Sequence, residues 1–252
     1  MKFKNFLLVL GLLLSVSCKT PTDIFKIEAK NVNINDSLQA DASIESFIKP
    51  YREHITKDLD SVLGYAVDTY SKTDGHLNTA IGNLMADVVL QEADPVFFKK
   101  TGEHIDFVLL NHGGIRSIIS KGPITKRTAY EIMPFENSIV VSKLPGAQIQ
   151  ELLEYLSKAK RAHPISKLKI VLDKDARVVK STVNNTPIDF NKTYYIATND
   201  YLINGGDGMD FFKGSEEVII LDYKIRNALI DYFMKTDTIN PVADDRFIQL
   251  ND

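Results

Sequence analysis

Apolar residues recur with the period of an α-helix in four stretches of the chain. In residues 44–55 they lie at i, i+3, i+4, i+7 and i+11, which is the spacing of one helix face. Pro50 lies inside this stretch and is expected to kink the helix, because proline donates no backbone hydrogen bond. The other three predicted helices comprise residues 80–92, 149–156 and 225–233.

Shorter apolar or alternating runs predict the strands. They comprise residues 62–70, 105–110, 138–144, 168–172, 177–183 and 194–198. The run at 177–183 is expected to pair with the one at 168–172. Strands and helices are mixed along the chain without strict alternation, which favours the α+β class, with a mixed β-sheet packed against helices.

The N-terminus has the three parts of an export signal. Lys2 and Lys4 form a basic start, an apolar run follows, and small residues precede Cys18. A cysteine at this place resembles the lipid acceptor of a bacterial lipoprotein signal. We therefore expect a signal peptide at residues 1–17 and lipidation of Cys18; the alternatives are a plain signal peptide or a short anchor with an incidental cysteine.

A polar stretch without sustained periodicity follows Cys18. We expect residues 18–42 to form a lipidated tether, with one short strand at residues 24–27, and residues 43–252 to form the folded domain. The acyl chains would hold the protein at a membrane of the bacterial cell envelope, with the domain on the extracytoplasmic side.

Composition narrows the classes of function. The chain has 252 residues, 44% of them hydrophobic and 25% charged, which is ordinary for a globular protein. The formal net charge of −3 gives no basic field for binding nucleic acid. Cys18 is the only cysteine, which excludes an intramolecular disulfide and a cysteine-rich zinc site. The chain contains no G-x-S-x-G motif, and its five histidines never form H-x-H, so we expect no catalytic residue and no metal ligand.

Two glycine-rich loops follow predicted strands. In residues 111–116, paired glycines let a ligand approach the backbone and expose N–H groups to an anion, and Arg116 offers a planar fork for phosphate or ribose oxygens. Residues 199–208 present Tyr201 and Asp207; a carboxylate is a natural acceptor for the two vicinal hydroxyls of a ribose. Considered alone, either loop is also explained by an ordinary glycine turn.

Four motifs in a fixed order resemble the C-terminal, substrate-binding domain of the 5′-nucleotidase family. They are G-N-L-x-x-D at residues 82–87, N-x-G-G-I-R at 111–116, P-F-x-N at 134–137, and N-G-G-D-G at 204–208 with an aromatic residue before it. The resemblance covers about residues 44–235, nearly the whole of the expected domain. It is specific because several motifs occur together in order.

The resemblance implies a site for a nucleoside or nucleotide. The base would lie between two aromatic rings, which by motif position are Phe135 and Tyr201, and Asp207 would accept the ribose hydroxyls. Asn111 and Arg116 would face the base and the ribose–phosphate side. The full set of substrate-binding residues implied by the resemblance is Asn111, Gly113, Gly114, Arg116, Phe135, Asn137, Tyr201 and Asp207.

One departure from the family concerns phosphate. The family usually carries an arginine upstream of its G-N-L segment that helps to hold phosphate, whereas residues 72–78 here contain no arginine. Lys72 or His76 would have to replace it, each as a single-point donor without the guanidinium fork. We therefore expect weaker affinity for phosphate than for the nucleoside.

A second departure concerns catalysis. Full-length family members carry their metals and hydrolytic groups in an N-terminal metallophosphoesterase domain, and the stretch between Cys18 and Ile44 is too short for one. The resemblance thus implies the nucleotide-binding component of a split cell-envelope 5′-nucleotidase, with hydrolase activity only beside a separate metallophosphoesterase chain that supplies divalent metals. The alternatives are a non-catalytic lipoprotein that captures nucleosides or nucleotides for scavenging, and a remnant that binds nothing.

The lipidation hypothesis predicts the effect of Cys18→Ala. The variant should lose its acyl chains and appear in the soluble fraction, because lipid attached to that cysteine is the expected anchor. Fractionation followed by immunoblotting measures this, with Ser17→Ala as the control that keeps the acceptor. A Cys18→Ala protein that stays with the membranes in high salt would contradict the hypothesis.

Overall fold

A computed structural model of the chain describes residues 26–250. The expected signal peptide and Cys18 lie outside these residues. The described residues divide into two units, with the boundary between Lys49 and Pro50. Residues 26–41 contain no helix or strand. The strand expected at residues 24–27 is therefore absent at residues 26 and 27, the part of it that the structure describes. None of the described helices is both long and apolar enough to span a bilayer.

All four helices predicted from the sequence are present, and two short ones are added. The helices of residues 26–250 are α1 (Ala42–Leu59), α2 (Ala80–Thr101), α3 (Lys126–Ile132), α4 (Gly146–Ala159), α5 (Asp200–Ile203) and α6 (Ile225–Lys235). Helix α1 continues through Pro50.

Helix α2 is longer than its periodicity predicted. The Thr79 side chain accepts a hydrogen bond from the Gly82 amide at the N-terminus, and Gly102 ends the helix in the left-handed region at φ 80°. The predicted end at Glu92 was wrong because α2 is buried on several sides, so its apolar residues do not form a single stripe.

In the described residues 26–250, three sheets replace the single mixed sheet of the prediction. The strands are β1 (Val62–Ala66), β2 (Phe107–Leu109), β3 (Gly122–Thr125), β4 (Ser138–Pro145), β5 (Ile165–Ser166), β6 (Leu168–Leu172), β7 (Val178–Val183), β8 (Thr186–Pro187), β9 (Thr193–Asn199), β10 (Glu217–Lys224), β11 (Thr238–Ile239) and β12 (Phe247–Gln249). The central sheet has the mixed order β10-β4-β9-β2-β5, and the smaller sheets have the orders β11-β1-β3 and β12-β6-β7-β8. The predicted antiparallel pairing of β6 with β7 is confirmed.

The central sheet is covered on both faces. Alternate residues of β2 point to opposite faces, as the strand period requires: Val108 belongs to a core that includes α2 and α6, whereas Phe107 and Leu109 belong to a second core that includes α4. The molecule thus has helices on either side of a mixed sheet, which is the α+β architecture expected from the sequence.

Candidate functional site

Three loops meet at one edge of the central sheet because of the strand register. Strand β9 runs parallel to β2, with Phe107 opposite Ile196, so the loops that leave their carboxyl ends lie side by side. Strand β4 runs antiparallel to β9, with Ile139 opposite Asn199, so the residues that precede β4 arrive at the same edge. In open α/β sheets, ligands usually bind at the carboxyl ends of parallel strands, and β2 and β9 form such a parallel pair in this mixed sheet.

All eight residues implied by the family motifs line one cavity at this edge. Its volume is about 320 Å³, within the range of pockets that hold small molecules. The structure therefore brings together residues that lie as far apart in sequence as Asn111 and Asp207. The lining residues are Asn111, Gly113, Gly114, Arg116, Phe135, Asn137, Tyr201 and Asp207.

The glycines of the first loop leave room for the side chain of Asn111. This asparagine is buried and its Nδ2 donates a hydrogen bond of 2.7 Å to Asp207 Oδ2. A Cβ atom on Gly114 would lie 3.0 Å from Asn111 Oδ1, and one on Gly113 would lie 3.3 Å from Asn111 Nδ2. Larger residues at these two positions would therefore displace the amide that ties the two loops together.

The second loop holds Tyr201 and Asp207 against each other. The Tyr201 hydroxyl donates to Asp207 Oδ1 at 2.9 Å, and the Tyr155 hydroxyl donates to the Asp207 carbonyl at 2.8 Å. Asp207 has φ 53°, and a Cβ atom on Gly206 would lie 2.5 Å from the Tyr201 ring. Each oxygen of the carboxylate accepts one bond here, and since a carboxylate has about four acceptor positions, capacity for a ligand remains.

Two aromatic rings of the cavity are unusually open to solvent. Phe135 is 41% exposed and Tyr201 is 47% exposed. The Arg116 guanidinium lies over the Phe135 ring, with its carbon 5.8 Å from the ring centroid, a distance at which a cation is attracted to an aromatic face. A cavity with two exposed rings and an arginine is suited to a flat, polar ligand.

Arg226 is a site residue that sequence reasoning missed. Its side chain is 7% exposed and its guanidinium lies 4.1 Å from the Tyr130 ring centroid. It makes long contacts of 3.5 Å with the carbonyl oxygens of Pro134 and Phe135 and an ion pair with Glu136. No local signal could have revealed it, because α6 is remote in sequence from the loop that it contacts.

The neighbours of Arg226 fix the same loop. The Ile225 amide donates to the Asn137 carbonyl at 3.1 Å, and the Lys224 ammonium donates to the Glu136 carbonyl at 3.0 Å. Hydrogen bonds from Arg226 and then Lys224 lower the pKa of Glu136 to about 2. Since that pKa lies below its ordinary value, the stabilisation is complete above about pH 4.5 and disappears as the pH falls through 2.

Two histidines near the first loop have lowered pKa values. Burial is the main cause that lowers the pKa of His112 and that of His163, which falls to about 4. His112 Nδ1 lies 3.3 Å from the Ala162 carbonyl. Among residues 26–250, no three His, Cys, Asp or Glu side chains are grouped so as to hold a metal ion.

Lys72 and His76, the two candidates to replace the family arginine that residues 72–78 lack, lie in different surroundings. The Lys72 ammonium donates to the Ile115 carbonyl at 2.7 Å, which places it next to Arg116. His76 is exposed. Lys72 is thus the candidate that lies beside the cavity.

Comparison with known proteins identifies the family of this chain. A sequence model of the 5′-nucleotidase C-terminal domain matches residues 56–214. The cell wall protein Lmo0130 of Listeria monocytogenes is 28% identical over 226 residues, which cover 73% of this chain and 29% of that protein. The 5′-nucleotidase of Homo sapiens is 26% identical, over 84% of this chain and 41% of that enzyme.

A solved structure extends this likeness to the fold. The 5′-nucleotidase precursor of Thermus thermophilus superposes with a TM-score of 0.69 at 26% identity, over 82% of this chain and 43% of that one. The fold class predicted from the sequence is therefore confirmed. The chain spans less than half the length of each of these proteins.

The contacts of Arg226 predict a local effect of Arg226→Met. Loss of its hydrogen bonds should lower the free energy of unfolding by about 1–3 kcal/mol and should speed amide hydrogen exchange in residues 134–138. Exchange measured by mass spectrometry, with denaturation monitored by circular dichroism, gives both quantities. Arg127→Met is the control, because Arg127 pairs with Asp60 on the exposed surface. Equal exchange of residues 134–138 in the two variants would show that Arg226 does not hold the loop.

Proposed function

This chain belongs to the 5′-nucleotidase C-terminal domain family, and we propose that its cavity binds the nucleoside part of a nucleotide. The observation that carries the proposal is the convergence of eight motif residues on one cavity of about 320 Å³. The cavity offers two exposed rings as partners for a base. It also offers a carboxylate with free acceptor positions for a ribose and an exposed arginine for a phosphate.

The rings of Phe135 and Tyr201 have a physical reason to bind a base. An aromatic side chain can bury about 150–250 Å² of surface. Because each of these rings is nearly half exposed, covering the exposed part would stabilise a complex by about 2 kcal/mol at about 25 cal/mol per Å². A stacked base covers such a surface and contributes about 1–3 kcal/mol per base. Stacking tolerates different bases, because each base has a π-face.

Asp207 is the proposed acceptor for the ribose. Its carboxylate is positioned by Asn111 and Tyr201, which donate to it from two sides. Positioning before the ligand arrives reduces the entropy that binding has to overcome. Vicinal hydroxyls would then donate to the remaining acceptor positions of the two oxygens.

The other lining residues complete the proposed site. Asn137 can hydrogen-bond to the base as donor and acceptor. Arg116 lies beside Phe135 and can reach a phosphate or ribose oxygen with its fork. Gly113 and Gly114 let the ligand approach the backbone, and we propose no catalytic role for any of these residues.

We further propose that hydrolysis takes place in a complex with a second protein. The chain matches less than half the length of the 5′-nucleotidases it resembles, and the metals would come from a separate metallophosphoesterase chain. The likeness to a cell wall protein agrees with an extracytoplasmic location. Anchoring through Cys18 remains a prediction.

The stacking proposal predicts the effect of two substitutions. Phe135→Ala and Tyr201→Ala should each weaken adenosine binding by about 1–3 kcal/mol, the contribution of one stacked face. Their effects should not add, because both rings contact the same ligand. Isothermal titration calorimetry measures the affinities. Phe190→Ala is the matched control, since Phe190 is 44% exposed and does not line the cavity.

The ribose contact is tested in the same titrations. Asp207→Asn should weaken adenosine more than its 2′,3′-dideoxy analogue, because only adenosine offers hydroxyls to the carboxylate. If Phe135→Ala and Tyr201→Ala are folded and bind adenosine as the parent does, the nucleoside proposal is wrong.

The proposed separation of substrate binding and hydrolysis between two chains predicts when phosphate is released. The purified chain with Mn²⁺, Zn²⁺ or Mg²⁺ should release no phosphate from AMP above the blank, and addition of a metallophosphoesterase exported by the same cell should start hydrolysis. A colorimetric phosphate assay measures both. In the mixture, Phe135→Ala should raise KM, whereas Phe190→Ala should not. Turnover by the purified chain alone would overturn the proposal, and nucleoside binding without partner-dependent hydrolysis would favour the scavenging function.

A further inference from the structure

Residues 162–166 run beside the first glycine-rich loop and the strand that leads into it. Their last two residues form β5, which pairs antiparallel with β2. Beyond that pairing, the Leu110 amide donates to the Pro164 carbonyl at 2.9 Å, and the His112 amide donates to His163 Nδ1 at 3.3 Å. Hydrogen bonds therefore join this stretch, which we call the backing segment, to the residues on either side of the asparagine that begins the loop.

The backing segment is bound in turn by an ion pair between α2 and the C-terminal part of the chain. The Arg246 guanidinium donates to the Ile165 carbonyl at 2.7 Å and forms a bidentate pair with the Asp87 carboxylate at 2.9 and 3.0 Å. The Ser166 hydroxyl donates to the same carboxylate at 2.5 Å. Asp87 and Arg246 together therefore bind β5 through its backbone and through a side chain.

This arrangement explains the G-N-L-x-x-D motif at the start of α2, whereas other residues line the nucleoside cavity. Asn83 and Asp87 lie four positions apart, so they share one face of the helix. Asn83 Nδ2 donates to the Val242 carbonyl at 2.9 Å, close in sequence to the paired arginine. A Cβ atom on Gly82 would lie 3.7 Å from Pro164 Cγ. The motif thus joins α2 to the backing segment and to the C-terminal stretch.

The Arg246 guanidinium directs all of its N–H groups at acceptors of the chain itself. Besides its bonds to Asp87 and Ile165, its Nε donates to the two Asp244 oxygens at 2.9 and 3.0 Å, and its Nη2 donates to Asp244 at 2.8 Å. Every donor of the fork is thereby engaged, and the side chain is only 18% exposed. Arg246 is therefore suited to holding other residues in place and not to contacting a ligand.

We propose that Asp87 and Arg246 are positioning residues for the nucleoside cavity. Through the backing segment they fix the backbone on both sides of Asn111, and with it the hydrogen bond of 2.7 Å that Asn111 donates to Asp207. A carboxylate that is held in place before the ligand arrives lowers the entropic cost of binding. The expected effect on ligand affinity rests on the nucleoside site proposed above, whereas the expected effect on Asn111 depends only on hydrogen bonds within the chain.

The first measurement follows the loop without a ligand. Amide hydrogen exchange of residues 108–114 is measured by mass spectrometry relative to that of β4, which corrects for a change in overall stability, and the side-chain amide signal of Asn111 is followed by nuclear magnetic resonance. In Arg246→Met and Asp87→Asn, the relative exchange should become about fivefold faster or more, as expected when local opening becomes easier. The Asn111 signal should shift in both variants, because its bond to Asp207 is weakened.

Lys169→Met is the matched control. Lys169 in β6 pairs with Asp245, the neighbour of Arg246, so this variant also removes an ion pair of the C-terminal stretch. It leaves the bonds of Asp87 and Arg246 to the backing segment in place, and both readouts should therefore match the parent. Ser166→Ala removes a single hydrogen bond to Asp87 and should give a smaller effect in the same direction, which keeps the test decisive if Arg246→Met does not fold.

The second measurement is calorimetric titration of adenosine. Arg246→Met should weaken its binding about fivefold or more, within the range for residues that act through a packed network, while Lys169→Met should leave the affinity within about twofold of the parent's. The double variant with Asp87→Asn and Arg246→Met should bind adenosine about as weakly as Arg246→Met alone, because both residues act through one pair.

The two measurements separate this proposal from the nucleoside site. If Arg246→Met and Lys169→Met give the same relative exchange and the same Asn111 signal, the positioning role is wrong, whatever the parent binds. Faster exchange in Arg246→Met with an unchanged affinity for adenosine would also overturn it. If the parent does not bind adenosine, the nucleoside site fails, and the exchange and the Asn111 signal still decide whether Asp87 and Arg246 hold the loop.

Discussion

The site depends on the register of three strands. The parallel pairing of β2 with β9 sends the loops at residues 111–116 and 199–208 out of the same edge, and the antiparallel pairing of β4 brings residues 134–137 to that edge. The two cores on either face of the sheet hold this register, because a slip by one residue would exchange the side chains that pack into each core. The positions of the two rings and the carboxylate therefore follow from apolar packing that lies away from the cavity.

A second constraint acts within the loops. Asn111 and Asp207 are joined by a hydrogen bond of 2.7 Å, and the backbone around them must come close enough for this contact. Gly113, Gly114 and Gly206 permit the approach, since a Cβ atom at any of them would meet Asn111 or the Tyr201 ring. The N-x-G-G-I-R and N-G-G-D-G motifs thus reflect one packing problem shared by two loops, which is why they occur together.

Much of the fold and of the candidate site could be predicted from the sequence, for reasons that differ between elements. Helices α1, α4 and α6 each have an apolar face, so their periodicity revealed them; α2 is buried on several sides, and its C-terminal half was missed. The sequence of strand β10 does not alternate, because Val218 and Ile220 are apolar although they lie on its exposed face. The eight lining residues could be named because they lie in local motifs. Arg226 could not, because it reaches the loop at residues 134–137 from an element remote in sequence and no local pattern marks it.

The distinction between local and remote residues bears on how the cavity is held in shape. Motif residues on adjoining loops line the cavity, and their geometry is fixed by bonds within and between those loops. The loop at residues 134–137 depends instead on a separate element, because Arg226 in α6 contacts the carbonyl oxygens of Pro134 and Phe135 and pairs with Glu136. A charge interaction requires less exact placement than a stacked ring or a bidentate hydrogen bond. A remote helix can therefore hold this loop through an ion pair while the motif residues set the shape of the cavity beside it.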